Sequence, residues 1–398
     1  MKSVNFIFIL AVFFASIGGV SSDLYLPSLP SIAHSLHTSI SLTQLSVALF
    51  MLGLSVARLS IAIISDAFGR KNPLIISLLI CLAGCLCCLF ATNIYMLLFG
   101  RLLQGFGAGG GNVLGRIILR DGVESHILAK YMSYFSMVGI TFMAAAPLIG
   151  GYIEHYFNWR VAFIVLLVYT TVALIIAIFV LPETNKFRNT DFLKFNFLKT
   201  NLKTLFTEPT FIISALFLAI GYGGLVAWLV SGPVVLQKVM LLSPIEFGWC
   251  AALIGFCYFV AAFTNSKLIN KFSMHKMQQF GIGCFFAGGF IMLIPVLFFH
   301  HISTAAFILP LMLSVFGLGL VIPNSYATGL MPFAKIAGIA TAILCFIQVL
   351  GAFATSTIIS LTPNRSQLPV GLIIFVSGFI CLILIRILGK IKAKKEAL

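Results

Sequence analysis

Long apolar runs recur along the whole chain and constrain its fold more than any other feature. A helix needs about 20 apolar residues to cross a bilayer, and runs of this length alternate with short polar breaks. The runs predict twelve helices, at residues 4–26, 42–64, 74–92, 94–118, 130–152, 160–181, 209–236, 244–264, 278–298, 304–328, 337–361 and 369–389. The sequence therefore predicts an all-α membrane protein.

Composition excludes a soluble enzyme. Apolar residues make up 60% of the 398 residues and charged residues 9%, whereas soluble domains are about a quarter charged. All nine cysteines fall inside apolar runs, where they act as small hydrophobes. Cys81, Cys85 and Cys88 share a helix face, but no His or acid lies nearby in sequence, so packing is favoured over a metal site. No metal and no cofactor are expected.

The excess of positive charge is interpreted as membrane orientation rather than as a nucleic-acid surface. The chain carries 25 Lys and Arg residues against 10 Asp and Glu. If the N-terminus is inside, nineteen of these cations fall in inner segments, three in outer loops and three within spans, namely Arg58, Arg101 and Arg116. Because basic residues concentrate in cytoplasmic loops, both termini are predicted to be cytoplasmic. No nucleic-acid partner is expected.

The longest polar break, residues 182–208, predicts a cytoplasmic linker between two halves. Residues 1–181 form one predicted six-helix bundle, and residues 209–398 form a second with a basic tail. A short pattern that begins at Asp66 is echoed from Asn270, at an offset of 204, and the helix 4 glycines from Gly105 are echoed from Gly317, at an offset of 212. The two echoes favour parallel repeats around a central cavity.

A charged turn between helices 2 and 3 contains Asp66, Gly69, Arg70 and Lys71. Gly permits the tight bend, and an acid is favourable near a helix N-terminus. A plain positive loop would have the same composition. The turn resembles the motif between helices 2 and 3 of the major facilitator superfamily, although Ala62 and Ala67 replace a Gly and a basic residue. The resemblance implies that the turn gates the inner face.

Helix 4 combines charged residues with small ones: Arg101, Gln104, Gly105, Gly109, Asn112, Arg120 and Asp121. Small residues at four-residue spacing let helices pack closely in lipid. The run resembles the second motif of the superfamily, in which an intramembrane Arg followed by Gln-Gly serves proton coupling. Arg101 lies too deep for an interfacial anchor, so it needs a partner. Arg120 and Asp121 are expected to belong to the inner gate.

Asp23 is the only acid expected within or at the edge of a span, so helices 7 to 12 are expected to lack a proton site. Helix 1 runs outward and helix 4 inward, which places Asp23 and Arg101 at comparable depth. A salt bridge between them is one hypothesis, and its making or breaking would capture or release a proton. A solvated residue at a helix end is the other, and the residues alone leave both open.

Helix 5 contains a Pro-kinked, Gly-thinned segment with Pro147, Gly150 and Gly151. On its own the segment could simply bend the helix. With Ala146 before Pro147, it resembles the helix 5 motif of antiporters in the Bcr/CflA drug-resistance branch. Asp23-Leu-Tyr-Leu-Pro, Trp159-Arg160 and Leu181-Pro-Glu-Thr are also similar to that branch.

The resemblance implies a major facilitator fold of two six-helix bundles that exports small amphipathic compounds from a bacterial cytoplasm in exchange for protons. Asp23 and Arg101 would couple protons, and the protein would be a monomer of the inner membrane with no covalent chemistry. Its partners would be lipid, protons and substrate. The candidate cavity residues are Tyr25, Asn112, Tyr222, Trp228, Asn324 and Gln348.

Three alternatives stay open at this point. A metabolite uptake symporter or facilitator would share the fold and Asp23, and a non-transporting receptor of transporter shape would bind without flux. Arg58 in helix 2 either reaches the cytoplasmic interface with its long side chain or forms a cationic lining that prefers anionic or neutral ligands.

Overall fold

The computed structural model describes residues 4–185, 195–269, 271–299, 302–363 and 366–396. All regular secondary structure in these ranges is helical, and none of these residues belongs to a β-strand. Five of the cations counted in the orientation argument lie outside the described ranges, namely Lys2, Lys186, Arg188, Lys194 and Arg365, and so does Asn270 of the sequence echo.

Fourteen α-helices make up the described part of the chain. They are α1 (Val4–Asp23), α2 (Leu29–Ser35), α3 (Ile40–Phe68), α4 (Lys71–Leu89), α5 (Ile94–Gly122), α6 (Ser125–Tyr156), α7 (Trp159–Phe179), α8 (Phe195–Thr207), α9 (Pro209–Val234), α10 (Pro244–Leu268), α11 (Met274–Phe299), α12 (Thr304–Leu330), α13 (Ala337–Ser360) and α14 (Leu368–Glu396). The predicted helices match these in order, but α2 and α8 were not predicted.

Eleven helical segments in the described ranges are long and apolar enough to cross a membrane. The predicted helix 4 corresponds to α5, which is not among them although it has 29 residues. Its many glycines, together with Gln104 and Arg101, lower its mean hydropathy. The all-α membrane fold predicted from the sequence is thus confirmed.

Polar side chains begin several of these helices. The side-chain oxygens of Ser39, Asn93, Asn158 and Ser303 accept hydrogen bonds from first-turn N–H groups of α3, α5, α7 and α12.

The C-terminal end of α1 differs from the prediction, because the helix ends at Asp23 rather than at residue 26. A turn and a short 3-10 helix, Leu26–Ser28, follow it, because Pro27 has no N–H group to continue an α-helix.

The described residues divide into two compact units. Unit 1 contains the chain up to Lys199 together with Ser243–Ala252, and unit 2 contains Thr200–Leu242 and the chain from Leu253 onward. The bundle boundaries expected from the sequence, 181/182 and 208/209, stay a prediction.

Glycines bring α5 close to its neighbours inside unit 1. A Cβ atom on Gly105 would overlap the carbonyl oxygen of Phe50 in α3, and one on Gly109 would lie 2.7 Å from the Cβ of Ala57. Gly107 packs in the same way on Cys81 of α4. Small residues therefore give α5 a central place in unit 1.

Unit 2 repeats this packing. A Cβ on Gly317 of α12 would lie 2.8 Å from the backbone nitrogen of Phe285 in α11, and one on Gly319 would lie 2.5 Å from the Cβ of Ala261 in α10. The glycine echo seen in the sequence thus corresponds to close helix packing in both units.

Candidate functional site

Asp23 and Arg101 are both removed from solvent at one end of unit 1, called here the Asp23 end. Asp23 is the last residue of α1 and is 3% exposed, and Arg101 of α5 has no exposed surface. The Ser22 side chain forms a hydrogen bond with the Asp23 carboxyl group. Two ionisable side chains are therefore buried close to one another in a helix bundle.

Arg101 is held by uncharged groups. Its Nη1 donates to the carbonyl oxygen of Ser21 at 2.9 Å and to Oε1 of Gln104. Its guanidinium carbon lies 3.9 Å from the ring centroid of Tyr25 and 4.2 Å from that of Phe50, so cation–π attraction replaces part of its lost hydration. Its Nε and Nη2 have no hydrogen-bond partner among the described residues.

The direct salt bridge between Asp23 and Arg101 is absent from this structure. Every ion pair within 4.0 Å among the described residues involves Asp66 or Asp121. Arg101 still attracts the Asp23 carboxylate through space.

Tyr25 and Gln104 extend this cluster. The Tyr25 hydroxyl is 3.0 Å from Oγ of Ser46 in α3, and the residue has no exposed surface. Tyr25 therefore supports Arg101 here, whereas the sequence suggested a cavity residue. Gln104 Nε2 donates to Sγ of Cys85 at 3.1 Å. Among the described residues no group of three or more His, Cys, Asp or Glu is placed to hold a metal ion.

The helix 5 motif packs against the residues that follow Asp23. A Cβ on Gly150 of α6 would overlap the carbonyl oxygen of Leu24 and would lie 3.3 Å from Cδ of Pro27. Pro147 lies inside the same helix, and a Cβ on Gly151 would overlap the carbonyl oxygen of Pro244, also in unit 1. Close approach, rather than a bend alone, accounts for Gly150.

Further acids lie inside helices, which corrects the expectation that Asp23 is alone: Asp66 near the end of α3, Asp121 near the end of α5, Glu154 in α6, Glu246 in α10 and Glu396 at the end of α14. Glu246 falls within the span expected at residues 244–264, so the second half of the chain also has an acid in a predicted helix. Glu154 belongs to α6, which runs four residues beyond the predicted end, and its Oε2 has no hydrogen-bond partner among the described residues. Glu246 lies in the first turn of α10 and accepts hydrogen bonds from the backbone and side chain of Ser243, at 2.7 and 2.9 Å. Glu246 forms a capping box at a helix end.

At the other end of unit 1, called the Asp66 end, Arg70 joins three helices. Arg70 is 4% exposed and precedes α4, and its guanidinium donates to Asp66 of α3 at 2.6 Å and to Asp121 of α5 at 2.9 Å. Arg120 also pairs with Asp121, at 3.2 Å. Gly69 makes the turn between α3 and α4 with φ of 96°, a left-handed conformation. The structure brings these predicted gate residues together.

Glu183 completes the Asp66 end, and the sequence analysis gave it no role there. Its carboxylate accepts hydrogen bonds from the backbone N–H of Arg70 at 2.9 Å and from that of Lys71 at 3.4 Å. It thus provides acceptors for N–H groups at the start of α4 that have none within the helix. Lys71 Nζ donates to the carbonyl oxygen of Ile178 at 2.7 Å. Glu183 was noticed only within the Leu-Pro-Glu-Thr resemblance, because a cap 112 or more residues away leaves no local signal.

The remaining candidate cavity residues are distributed over both units. In unit 1, Asn112 is half-buried and donates to the carbonyl oxygen of Ala15 at 3.0 Å. In unit 2, Tyr222 is half-buried, whereas Trp228 is 1% exposed and packs on Phe307.

Asn324 and Gln348 of unit 2 take part in polar contacts. Asn324 Nδ2 donates to Oδ1 of Asn265 at 2.7 Å, and Gln348 Oε1 accepts from the Tyr326 hydroxyl at 2.7 Å. A cavity of about 440 Å³ in unit 2 is bordered by other residues: Glu208, Thr210, Ser273, Met274, His275, Thr328, Met331 and Pro332.

Helices of membrane-spanning length, with buried charges at both ends of unit 1, define a polytopic membrane protein. The chain belongs to the Major Facilitator Superfamily, whose family profile matches residues 7–355. It is therefore a transport protein and not an enzyme.

Two bacterial relatives refine this assignment. The chain is 27% identical to Multidrug resistance protein D of Escherichia coli (strain K12), covering 95% of this chain and 94% of the relative. It is 28% identical to a bicyclomycin resistance protein homolog of Haemophilus influenzae, covering 74% of each. These relatives confirm the resemblance to the Bcr/CflA branch and, being bacterial, imply the inner membrane.

The likeness to solved structures concerns the fold alone. The crystal structure of a D-xylose-proton symporter matches with a TM-score of 0.78 and 16% identity, covering 95% of this chain and 97% of that one.

Proposed function

We propose that this chain exports small amphipathic compounds in exchange for protons by alternating access. The observation that carries the proposal is the buried pair Asp23 and Arg101, which attract each other without a direct ion pair. Ionisable residues inside a membrane are costly and mark ion pathways. Relatives named for multidrug and bicyclomycin resistance support export as the direction and drugs as the substrates.

The proposed topology has twelve spans. The twelfth is α5, which its low mean hydropathy alone does not identify as a span. Residues 1–181 and 209–398 would form two six-helix bundles joined by the linker 182–208, and the protein would act as a monomer with both termini in the cytoplasm. The shared glycine packing of α5 on α4 and of α12 on α11 supports the repeat. The Asp66 end would then face the cytoplasm.

In the proposed cycle, Asp23 takes a proton from outside as substrate leaves and releases it inward. Burial favours the neutral acid, whereas the charge of Arg101 favours the carboxylate, so a small movement of either helix would shift the balance. The Arg70 cluster would close the inner face. Pro147, Gly150 and Gly151 would set how closely α6 approaches the end of α1.

Substrate would be held by a few polar groups in an apolar surround. Tyr25, Asn112, Tyr222, Trp228, Asn324 and Gln348 are proposed for this role. Tyr25 would contribute only in a state in which its ring leaves Arg101.

The proposal is tested in proteoliposomes with an imposed pH gradient. Flux of radiolabelled chloramphenicol, a neutral amphipathic probe, and substrate-triggered proton movement are compared for the wild type, Asp23→Asn and Glu154→Gln. We expect Asp23→Asn to abolish coupling and Glu154→Gln to retain it. If Glu154→Gln uncouples instead, the proton site is at Glu154, and if wild-type flux ignores the gradient, the chain is a facilitator.

An uptake symporter for a metabolite is the second candidate, since a D-xylose-proton symporter has the same fold. The two functions differ in direction. In a bacterial strain that lacks its own exporters, an efflux protein raises inhibitory concentrations across a broad compound panel, whereas a symporter leaves them unchanged and accumulates solute inward.

A further inference from the structure

Arg58 lies deep within α3 and on its packed face. Asp66, at the end of the helix, is eight residues further along, or about 12 Å at 1.5 Å per residue. The residues four and seven positions away on the same face are all buried: Met51, Leu54, Ala62 and Ser65. Arg58 itself is half-buried, and its Nε is enclosed without a hydrogen-bond partner among the described residues.

An arginine that merely reaches the interface would lie on a lipid-facing surface and bring its nitrogens into water. The most exposed side of this part of α3 is marked by Val56, which is 43% exposed. Arg58 lies elsewhere on the helix circumference, and its Nε is enclosed. The cationic lining that the sequence left open is therefore the better interpretation of Arg58.

A second arginine without an ion pair lies on the neighbouring helix. Arg116 of α5 is exposed, and its guanidinium carbon is 5.8 Å from the ring centroid of Phe135. The ion pairs among the described residues involve only Arg70 and Arg120, with Asp66 and Asp121. Neither Arg58 nor Arg116 is thus neutralised by a carboxylate in the described part of the chain.

Helix packing places the two arginines at similar depth. The helices α3 and α5 run in the same direction, since Gly105 packs on Phe50 and Gly109 on Leu54. Continuing this register puts Arg58 level with Val113, next to Asn112, and about three residues, or just under one helical turn, before Arg116 along the helices.

The glycine contacts of α5 show which side of that helix carries Arg116. Around α5, Gly109 marks the contact with α3, Gly115 the contact with α1, and Gly107 the contact with α4 on the far side. Arg116 falls between the α3 and α1 contacts, and Asn112, four residues earlier, shares its face.

We propose that Arg58 and Arg116 form a recognition site in unit 1 for the acidic group of an amphipathic organic anion. The inference deepens the proposed function and rests on it, because it names the substrate class of the transporter. A guanidinium binds a carboxylate through two parallel hydrogen bonds. The guanidinium of the other arginine, within about one helical turn, would stabilise the remaining negative charge of the ligand. The apolar part of the ligand would lie against the surrounding helices.

Binding to the purified full-length protein in detergent tests the proposal without any need for flux. The probes are naphthyl, biphenyl and anthracenyl carboxylic acids, each compared with its own neutral primary amide at pH 7. We expect the wild type to bind the acids at least about tenfold more tightly than the amides, the effect of one good charge-assisted hydrogen bond.

Variants assign the preference to these residues. Arg58→Gln and Arg116→Gln should each reduce the acid preference, and the double variant should abolish it, while amide binding persists. Arg58→Lys keeps the positive charge but loses the planar guanidinium group, which binds a carboxylate through two hydrogen bonds. It should therefore keep part of the preference for the acids. Lys203→Gln, which removes one exposed charge from α8, is the matched control and should behave as the wild type.

The proposal is overturned if the wild type does not prefer the acids, including the case in which it binds neither member of the pairs. It is equally overturned if the double variant keeps the preference. An acid preference without export would refute the proposed function and leave this site standing. Export of chloramphenicol without an acid preference would refute this site alone.

Discussion

The buried charge of Arg101 is stabilised by polarisable and dipolar groups. Two aromatic rings, a backbone carbonyl and an amide surround it, and its candidate counter-ion, Asp23, makes no direct pair with it. Such an arrangement keeps the guanidinium in place whether or not the acid carries a proton. At the residue scale, this independence is compatible with the proposed proton-coupling role of the pair.

Tyr25 forms a hydrogen bond with Ser46 and places its ring over Arg101, and two substitutions separate these roles. Tyr25→Phe removes the hydrogen bond to Ser46 but keeps the ring over Arg101, so we expect a loss of about 1 kcal/mol in stability with proton coupling retained. Tyr25→Leu also removes the ring, and we expect a further loss of about 2 kcal/mol and weakened coupling. Thermal unfolding in detergent measures the change in stability, and proton flux in proteoliposomes measures the change in coupling.

Ser46→Ala is the matched control for this pair, because it removes the same hydrogen bond from the other side. It should reproduce the Tyr25→Phe variant. Equal loss of coupling in Tyr25→Phe and Tyr25→Leu would show that the hydroxyl, and not the ring, supports Arg101.

At the element scale, helix contacts at small residues decide how the buried site is built. The helix α5 packs on α1, α3 and α4 through glycines, and α6 packs on the end of α1 through Gly150. Because each contact is between backbones, it leaves no space for a side chain. The position of Asp23 therefore depends on α6 as well as on its own helix.

Gly150 and Gly139 give a matched test within α6. A Cβ on Gly150 would overlap the Leu24 carbonyl, whereas one on Gly139 meets nothing within 4 Å. We expect Gly150→Ala to cost about 1–3 kcal/mol from overpacking and to reduce coupled flux, because the chain after Asp23 must shift. Gly139→Ala should be neutral or slightly stabilising. Similar unfolding temperatures for the two variants would contradict the close approach.

At the scale of the whole molecule, charge and helix order together support the proposed orientation. The proposed topology places α8 in the cytoplasm and α2 on the outer side, and both Lys203 of α8 and Ser35 of α2 are exposed. Since basic residues are retained on the inner side, the surplus of cations in the linker supports this arrangement.

Cysteine labelling tests the orientation. A membrane-impermeant maleimide should label Ser35→Cys in intact cells and Lys203→Cys only after the cells are permeabilised, with the unsubstituted protein giving the background of its nine native cysteines. Labelling of Lys203→Cys in intact cells would reverse the topology and, with it, the side from which Asp23 takes its proton.

The sequence by itself determined the helical membrane fold, the order of the long helices, the family resemblance and the residues worth examining. Span length and charge are local properties, so the apolar runs and the Asp66 turn were readable without a structure. Only the tertiary structure decided which residues meet. Glu183 caps α4, Glu154 lies inside α6, Tyr25 packs under Arg101, and Asp23 makes no direct ion pair. These contacts join residues distant in sequence or depend on where a helix ends, and no local pattern encodes them.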